Sequence, residues 1–420
     1  MRDQAALIEG LAVPDGVAQG EPFDIDEHLL WTDPHGVIRA LRAKTPVWCR
    51  HYGNAAFGVK AYSIFSHELS EAAAVDPRTR QFELEPLLFN GVTDGPLFEL
   101  YANGMLASNG ETHIRRRTPL SRQFAFPIIR RMQPEIAAAA QDLLHSYLAE
   151  GRMNVAEDYG KRFPVSILCS ILGVPPEDTD AFGEWIRKAA VGLGVFSPDK
   201  LDSINEGTER LLSYVSALLD DRRRAPRGDF LTDYLAKVDS QGDYSAEETY
   251  VQIAGAILAG SDTTRTAITM AISLLLEHPE TWTALRADPD LATRVVDEVL
   301  RFEPAVGSVP RFVLEDLEIG GVKVGAGSIL SISMLGALRD PAVFSNPDTF
   351  DIQRTTSPKL NLAFGSGAHR CLGEALARIE VEETVRAFVS MIPDAHLLCA
   401  PARVEGFSGV RHLVGFDIGW

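Results

Sequence analysis

Apolar residues recur at three- and four-residue spacing through most of this 420-residue chain, and this periodicity constrains the fold more than any other feature. Such spacing places the apolar side chains on one face of a helix. Helices are predicted near residues 111–125, 130–150, 177–190, 199–223, 246–277, 290–302 and 372–389. Strand signals are short, at residues 47–49, 57–59, 312–324 in two pieces, 397–398 and 413–416. Because strands and helices do not alternate, a doubly wound sheet is excluded, and the predicted class is mainly α with small β regions.

The composition is that of a globular chain able to bury a large core, with 45% hydrophobic and 23% charged residues. No Pro/Gly/Ser-rich linker divides the chain, so residues 21–420 are predicted to form a single domain after a flexible N-terminus at residues 1–20. Lys and Arg number 40 against 58 Asp and Glu, a formal net charge of -18. This balance argues against a nucleic-acid partner and against attraction to anionic lipid.

The cysteine pattern and the distribution of apolar residues bear on the cellular compartment. The four cysteines show neither paired spacing nor a zinc pattern, which favours a reducing compartment. The first residues lack a long apolar run, and the most apolar segment, residues 253–276, is interrupted by five polar residues. The sequence therefore predicts a cytoplasmic protein without a membrane anchor.

One cysteine stands in a glycine-rich run, residues 364–373, which reads FGSGAHRCLG and directly precedes a helical pattern. A thiolate is favoured at a helix N-terminus, where unpaired N–H groups and the helix dipole stabilise negative charge. Glycines let a backbone turn tightly and approach a flat group closely. Cys371 is therefore a candidate thiolate ligand to a haem iron, although a lone cysteine is more often a small core hydrophobe.

The run resembles the haem-ligand loop F-x-x-G-x-[RH]-x-C-x-G of the cytochrome P450 monooxygenases, with His369 where many members carry arginine. The resemblance implies a triangular prism with haem b between the long central helix and the helix after the loop. It places Phe364, Gly365, His369 and Gly373 beside the haem, with Cys371 on the iron. The implied activity is insertion of one oxygen atom from O2 into a C–H bond of a small hydrophobic substrate. Electrons would come from NAD(P)H through an iron-sulfur ferredoxin.

A second run, residues 259–264, reads AGSDTT in the middle of the longest helical pattern and looks like the family's acid-alcohol pair. Thr263 stands four residues after Ala259, so its hydroxyl can bond that carbonyl and, with Gly260, is predicted to open a notch for dioxygen. Cleavage of the O–O bond needs protons. Asp262 is assigned to proton relay and Thr263 to orienting the dioxygen and its waters. A solvated helix face with a Ser/Thr cluster is the alternative.

A third pattern is the pair Glu298 and Arg301, three residues apart on one helical face. Taken alone, such a pair is a common surface feature of little energetic weight. In the family a later arginine completes the pair, and residues 347–354 match that stretch, which nominates Arg354. The implied role is structural, since the three residues would lock the segment that presents Cys371.

The two haem propionates are anionic and call for Arg or His donors. His113 and Arg117 lie four residues apart at the start of a helical pattern and so face the same way. Arg311 and His369 match further family positions for propionate contacts. Other arginines could form a basic patch that steers an acidic ferredoxin. They are Arg115, Arg116, Arg122 and Arg370.

The substrate pocket is predicted only by motif offset within the resemblance. Its candidate residues are all apolar, which predicts a hydrophobic substrate held by shape, although each could equally be core. They are Leu258, Val306 and Phe407, with Leu97 and Phe98 as weaker additions. The last two lie in residues 85–109, a stretch without clear period that is expected to be an irregular loop over the pocket.

Three other functions stay open on the sequence. A peroxygenase that uses hydrogen peroxide would share the cysteine loop but would not need Asp262 and Thr263. A haem-thiolate sensor or ligand-binding protein would bind haem without turnover. A protein without haem could use Cys371 as a nucleophile and His369 as its base, but no orienting Asn or Asp is evident.

Overall fold

A computed structural model of the chain describes residues 20–51, 59–194, 196–354 and 362–420. The helices are α1 Glu27–Thr32, α2 Pro34–Lys44, α3 His67–Val75, α4 Glu85–Phe89, α5 Pro96–Asn103, α6 Gly110–Ser121, α7 Phe126–Arg131, α8 Gln133–His145, α9 Phe163–Leu172, α10 Thr179–Ala190, α11 Leu201–Arg224, α12 Phe230–Gln241, α13 Ala246–Glu277, α14 Pro279–Ala287, α15 Ala292–Phe302, α16 Met334–Ala337 and α17 Glu374–Met391. The strands are β1 Val47–His51, β2 Lys60–Ile64, β3 Thr79–Arg80, β4 Arg152–Asn154, β5 Ser308–Val313, β6 Leu317–Ile319, β7 Val322–Val324, β8 Ile329–Ser333, β9 His396–Leu397, β10 Arg403–Glu405, β11 His412–Val414 and β12 Asp417–Gly419. The chain is mainly helical with small sheets, as its sequence predicts.

The described residues fall into two compact units. The first takes residues from Met1–Gln81, Arg294–Cys371 and Ala402–Val414. The second takes them from Phe82–Thr293, Leu372–Pro401 and Gly415–Trp420. Among the described residues, no helix combines the length and the apolar content needed to cross a bilayer.

The first unit is built on a five-stranded sheet in the order β1-β2-β8-β5-β3. The β2–β8 pair is parallel and the other pairs are antiparallel. All residues of β8 are buried, which matches its continuous run of Ile, Leu and Ser. Two hairpins, β6–β7 and β10–β11, complete the strands of this unit. An apolar cluster in this unit packs α1 and α2 around Trp48 and Phe65.

The second unit is a helical assembly around α13, which is 32 residues long. Buried residues occur on all sides of α13 at 251–255 and 266–275, as expected for a helix in the core of a large protein, whereas Ala259 in its middle is exposed. A capping box starts α13, because the Ser245 hydroxyl accepts from the Glu248 N–H and the Glu248 carboxylate accepts from the Ser245 N–H. Strands β4, β12 and β9 form a small sheet in this unit.

The seven predicted helices are confirmed, with one division and small shifts at the ends. The pattern at 130–150 is two helices, α7 and α8, separated at Met132; Pro134 in the first turn of α8 has no N–H to continue a single helix. Helices α1 to α5, α9, α12, α14 and α16 were not predicted. The strand prediction at 57–59 falls mostly outside the described residues.

The expectation of an irregular loop at residues 85–109 is wrong, since this stretch contains α4 and α5. Each of these helices has a proline in its first turn, Pro86 in α4 and Pro96 in α5. Proline is favoured at that position, because the first N–H groups of a helix have no intrahelical partner. The two prolines also interrupt the helical spacing of apolar residues, and the sequence pattern therefore predicts a loop.

Candidate functional site

The cysteine loop of the first unit turns tightly through its glycines. Gly365 and Gly367 have φ angles of 73° and 72°, in the left-handed region that disfavours other residues. The Cys371 N–H donates to the carbonyl oxygen of Phe364 at 2.8 Å, which closes the turn. His369 ends a 3₁₀ turn just before the cysteine and is half-buried. The Cys371 thiol is exposed, and α17 begins three residues further along the chain.

A second constraint on this loop is its close approach to α3. A Cβ atom at Gly367 would lie 3.2 Å from both the Ala74 carbonyl oxygen and the Val75 Cγ1 atom. At Gly365 a Cβ atom would have no heavy atom within 4 Å, so that glycine is needed for its φ angle and not for space. The loop therefore rests on the end of α3, with the cysteine presented outward.

The structure brings Glu298, Arg301 and Arg354 together in the first unit. Arg301 donates from Nε and Nη2 to the two Glu298 oxygens, at 2.8 and 2.7 Å. Arg354 Nε lies 3.3 and 3.2 Å from the same two oxygens. The exposed fractions of Glu298 and Arg301 are 3% and 0%, so this is a buried ion pair. The sequence pattern alone is more often a surface pair.

The two arginines also bind backbone of the segment that follows β8. Arg301 donates to the carbonyl oxygens of Leu338, Pro347 and Thr349, at 3.1, 2.8 and 3.1 Å. Arg354 donates to those of Ser345, Asn346 and Thr349, at 2.5, 3.3 and 3.0 Å. These six hydrogen bonds, donated by two guanidinium groups, fix the irregular backbone that precedes the cysteine loop.

Arg311, on β5, is a buried guanidinium without a carboxylate partner among the described residues. Its exposed fraction is 6%, and its Nη1 donates to the Gln81 side chain and to the Pro310 carbonyl oxygen. Burial lowers the pKa of Arg311. A buried cation without an anion is costly. The position therefore fits contact with an anionic group such as a haem propionate.

His113 and Arg117 occupy successive turns of α6 in the second unit. His113 is 2% exposed, and its Nδ1 lies 2.9 Å from the Met105 carbonyl oxygen. A carbonyl can only accept, so Nδ1 carries the proton and fixes the ring orientation. Arg117 is half-buried on the same helix. Both are donors of the kind that carboxylates require.

These residues fit haem by the chemistry of their donors. An exposed thiol on a glycine turn suits the iron, and Arg311 lacks a carboxylate partner within the described part of the chain. His113 and Arg117 add two donors on one helix. Arg311 and Cys371 belong to the first unit, whereas His113 and Arg117 belong to the second.

Thr263 forms the predicted bond with the backbone of α13. Its Oγ1 donates to the Ala259 carbonyl oxygen at 2.9 Å. The helix nevertheless stays α-helical from Ala246 to Glu277, so the predicted notch is not a break in α13. A Cβ atom at Gly260 would have no heavy atom within 4 Å. The space beside this turn therefore extends beyond the atom that glycine lacks.

Asp262 has an environment suited to proton transfer. Burial raises the pKa of Asp262, while the positive charges of Arg265 and Arg187 oppose the shift. No described residue donates a hydrogen bond to its carboxyl group, since Arg265 pairs with Glu157 instead. The carboxyl therefore holds its proton to a higher pH than an exposed aspartate does. Sequence reasoning missed Arg265 and Glu157, whose charges also act on the Asp262 carboxyl.

The predicted substrate contacts fall in both units. Leu97 and Leu258 are 0% and 2% exposed and lie in the apolar core of the second unit, against which the half-buried Phe98 packs. This is the packing of core residues. In the first unit, Val306 forms a bridge with Val410, and Phe407 packs against the cluster around Trp48. A pocket role for all five stays a prediction.

The predicted basic patch needs a correction at Arg115 and Arg116. Both arginines bind the same carboxylate, Glu248, with N–O distances of 2.5 and 2.9 Å. Arg116 is 8% exposed and so cannot present charge to a partner protein. Burial opposes ionisation of Glu248, yet hydrogen bonds from Arg115 and Arg116 lower its pKa overall. The sequence pattern missed this contact because its partners are about 130 residues apart.

The buried pair at Arg301 leads to a stability prediction. Arg301→Met leaves the buried Glu298 carboxylate with Arg354 and the Asp351 N–H as partners, and should lower the free energy of unfolding by about 3–5 kcal/mol. Arg223→Met is the matched control, since it removes an exposed ion pair with Asp239 at 3.1 Å and should cost less than about 1 kcal/mol. Urea unfolding measures both variants. Equal losses of unfolding free energy in Arg301→Met and Arg223→Met would show that the Glu298–Arg301 pair behaves as a surface pair.

The raised pKa of Asp262 predicts a pH-dependent stability. The favourable contribution of a group whose pKa rises on folding is present below its unfolded pKa of about 3.9 and is lost as pH rises through the folded pKa. Asp262→Asn removes this loss. The thermal midpoint of Asp262→Asn minus that of wild type should therefore increase from about pH 4 to about pH 8.

The control for this experiment is Asp394→Asn, which changes an exposed aspartate after α17. Its difference from wild type should vary less with pH than that of Asp262→Asn. A difference that is flat with pH for Asp262→Asn would contradict the burial of its charge.

Comparisons with known proteins agree with this geometry. The family model "Cytochrome P450" matches residues 199–390. The protein "Cytochrome P450-pinF1, plant-inducible" from Rhizobium radiobacter is 36% identical over 94% of this chain and 92% of its own length. "Cytochrome P450 monooxygenase PikC" from Streptomyces venezuelae is 30% identical over 92% of this chain and 91% of its own length.

Solved structures give the same result for the fold. The structure of P450BioI with hexadec-9Z-enoic acid ligated acyl carrier protein has a TM-score of 0.84, with 28% identity over 94% of this chain and all of that chain. The structure of CalO2 has a TM-score of 0.85, with 27% identity over 95% of this chain and 98% of its own length. The chain therefore belongs to the cytochrome P450 family and is a haem-dependent monooxygenase.

Proposed function

We propose that this cytochrome P450 hydroxylates a small hydrophobic molecule with O2 and with electrons that a ferredoxin carries from NAD(P)H. The observation that carries the proposal is the pair on α13, a carboxyl with raised pKa at Asp262 beside the Thr263 hydroxyl. A peroxygenase does not need such a pair. Among relatives of similar length, two are named "Vitamin D(3) 25-hydroxylase" and "6-deoxyerythronolide B hydroxylase", 31% and 28% identical to this chain.

Bound haem would supply the redox chemistry that activates O2, and a thiolate ligand to its iron would favour that chemistry. Cys371 would be that thiolate, held by its bond to Phe364 and by the glycine turn. Arg311, His113 and Arg117 would hold the propionates, as the lone buried charge of Arg311 suggests. Glu298 and its two arginines would keep the backbone before the loop in place.

Asp262 and Thr263 would deliver protons during the reaction. The Asp262 carboxyl holds a proton more firmly than an exposed aspartate, and it can release that proton to a water molecule. The Thr263 hydroxyl donates to Ala259, so its oxygen lone pairs face outward as acceptors for such a water. The Arg265 and Arg187 charges nearby lower the cost of the resulting carboxylate.

The substrate would be apolar and recognised by shape. Val306 and Phe407 are half-buried apolar residues on neighbouring segments of the first unit, and neither carries a hydrogen-bonding side chain. We also propose that residues 21–420 work as one catalytic domain. The reaction would take place in the cytoplasm, where thiols stay reduced, since all four cysteines are outside disulfides.

The ferredoxin would bind at a basic patch that differs from the one predicted by sequence. We define the docking patch as Arg122, Arg130 and Arg131, which are exposed and pair with no carboxylate among the described residues. Phe126 and Ile128, between them, are 53% and 37% exposed. Unpaired positive charge around apolar side chains suits an acidic partner, which the net charge of -18 would otherwise repel.

Thr263→Ala tests the proton path. The product formed per NAD(P)H consumed should fall by roughly tenfold or more, since Thr263 holds the water that receives the proton from Asp262, and positioned proton transfer typically contributes ~10²–10⁴-fold. Hydrogen peroxide should be released in its place. The assay uses ferredoxin, its reductase and a hydrophobic substrate that shifts the haem spectrum.

Thr269→Ala is the control for this experiment, because Thr269 forms the same bond to the carbonyl four residues back, at 2.8 Å, two turns of α13 beyond Asp262. The product formed per NAD(P)H consumed by Thr269→Ala should stay near the wild-type level. If Thr263→Ala also forms as much product per NAD(P)H as wild type, Thr263 is not part of the proton path. Wild-type protein that oxidises its substrate only with added peroxide would support the peroxygenase alternative.

Arg130→Gln tests the docking patch. The rate of haem reduction by ferredoxin should fall severalfold at low ionic strength, because the lost charge no longer steers the acidic partner. The difference should vanish near 1 M salt, where the Debye length is about 3 Å. Arg223→Gln, an exposed arginine already paired with Asp239, should reduce normally. The same salt dependence in Arg130→Gln and wild type would exclude the patch.

A further inference from the structure

A buried charge cluster in the first unit surrounds Glu303, at the end of α15. The Glu303 carboxylate lies 3.0 Å from His35 Nε2 and 3.5 Å from Arg339, and it pairs directly with Arg411. Burial opposes ionisation, but the charges of His35 and Arg411 hold the pKa of Glu303 well below its usual range. Arg411 is the most deeply buried cation of the cluster, with 1% of its side chain exposed.

Arg411 also binds three backbone carbonyl groups. Its Nε donates to the carbonyl oxygen of Gly406 at 2.9 Å, and its Nη2 donates to that of Val404 at 2.6 Å. Both acceptors lie in or directly after β10, the first strand of the β10–β11 hairpin. Arg411 Nη1 donates to Pro304 at 3.1 Å, on the segment that leads into β5. One planar guanidinium therefore joins two separate pieces of chain, which a lysine ammonium cannot do with the same geometry.

Backbone bonds continue this connection along the same two segments. We name residues 406–410 the hairpin loop and residues 304–309 the facing segment. The Gly307 N–H donates to the Gly409 carbonyl oxygen at 2.8 Å, and the Gly409 N–H donates to that of Ser308 at 3.1 Å. The Arg411 N–H donates to the Ala305 carbonyl oxygen at 2.9 Å. The facing segment carries Val306 and the hairpin loop carries Phe407.

The two segments pack without space for an additional atom. A Cβ atom at Gly307 would lie 2.5 Å from the backbone carbon of Phe407 and 2.6 Å from its carbonyl oxygen. Such contacts are sterically forbidden, so a side chain at 307 has to push the hairpin loop away. The position of Phe407 relative to Val306 is therefore set by Gly307 and by the bonds of Arg411.

We propose that Arg411, held by Glu303, is a positioning residue for substrate selection, because it fixes the hairpin loop with Phe407 against the facing segment with Val306. This inference rests on the proposed function, in which those two residues contact the substrate. Arg411 touches neither substrate nor haem in this role. Its removal should change which apolar molecules bind and should leave the thiolate ligation of the haem unchanged.

Two haem ligands of different size test the proposal. Imidazole reports on access to the iron, whereas 4-phenylimidazole adds an apolar ring that must fit between substrate-contacting residues. Arg411→Lys keeps the charge beside Glu303 but loses the planar set of donors. Its affinity for 4-phenylimidazole, relative to imidazole, should change by about tenfold from the wild-type ratio. Haem absorbance titrations measure both affinities in the holoenzyme.

Arg222→Lys is the matched control for a general loss of packing. Arg222 is also a buried arginine, 2% exposed, which binds two carboxylates and the Leu172 carbonyl oxygen in the second unit. In Arg222→Lys, the affinity for 4-phenylimidazole relative to imidazole should stay at the wild-type value even if the variant is less stable. Should Arg411→Lys fail to fold, Gly307→Ala displaces the same loop independently, with Gly325→Ala as a control that has no close contact.

The possible results separate this inference from the function on which it rests. A wild-type ferrous carbon monoxide complex without the thiolate band would contradict the proposed function. A normal band with an unchanged affinity ratio in both Arg411→Lys and Gly307→Ala would contradict only the positioning role. A changed ratio in these two variants and not in Arg222→Lys supports it.

Discussion

The buried Glu298 carboxylate is the constraint around which the backbone before the cysteine loop is organised. A carboxylate that is 3% exposed must be compensated, and two guanidinium groups and the Asp351 N–H share that task. The same guanidinium groups bind five different backbone carbonyl oxygens of the irregular segment before the loop. One buried negative charge thus orders a stretch of chain that has no regular secondary structure.

In our proposal, the chemistry of the protein is divided between the cysteine loop and the long helix α13. The loop presents Cys371 through glycine geometry that few other residues can adopt. The helix α13 presents Asp262 and Thr263 without a break, so the proton delivery that we propose would rely on side chains and not on an opened backbone. Substrate selection, in our proposal, belongs to a third element, the hairpin loop that Arg411 holds. Separate elements for these tasks would allow specificity to change without loss of the oxygen chemistry.

The sequence predicted those features that local spacing determines. The helix at 246–277 and the contact of Glu298 with Arg301 follow from three- and four-residue periodicity. The bond from Thr263 to Ala259 follows from the same spacing. Arg354 joined its partners as the family resemblance implies. The roles of these residues in the reaction remain proposals.

The features that the sequence missed depend on contacts between distant segments. Nothing local indicates that Arg116 is buried against Glu248, or that Arg411 reaches Pro304. Burial decides whether an arginine is a docking residue or a structural one, and burial is set by packing of whole helices. Prolines at the first turns of α4 and α5 were misread for a related reason, since proline both breaks a pattern and starts a helix.

The central claim is that Cys371 ligates the haem iron as a thiolate. The most direct measurement is the carbon monoxide difference spectrum of the reduced holoenzyme, compared between wild type and Cys371→Ser. We predict the strongly red-shifted Soret band of a thiolate complex in wild type and its loss in the variant. A wild-type spectrum without that band, or the same band in both proteins, would contradict the account.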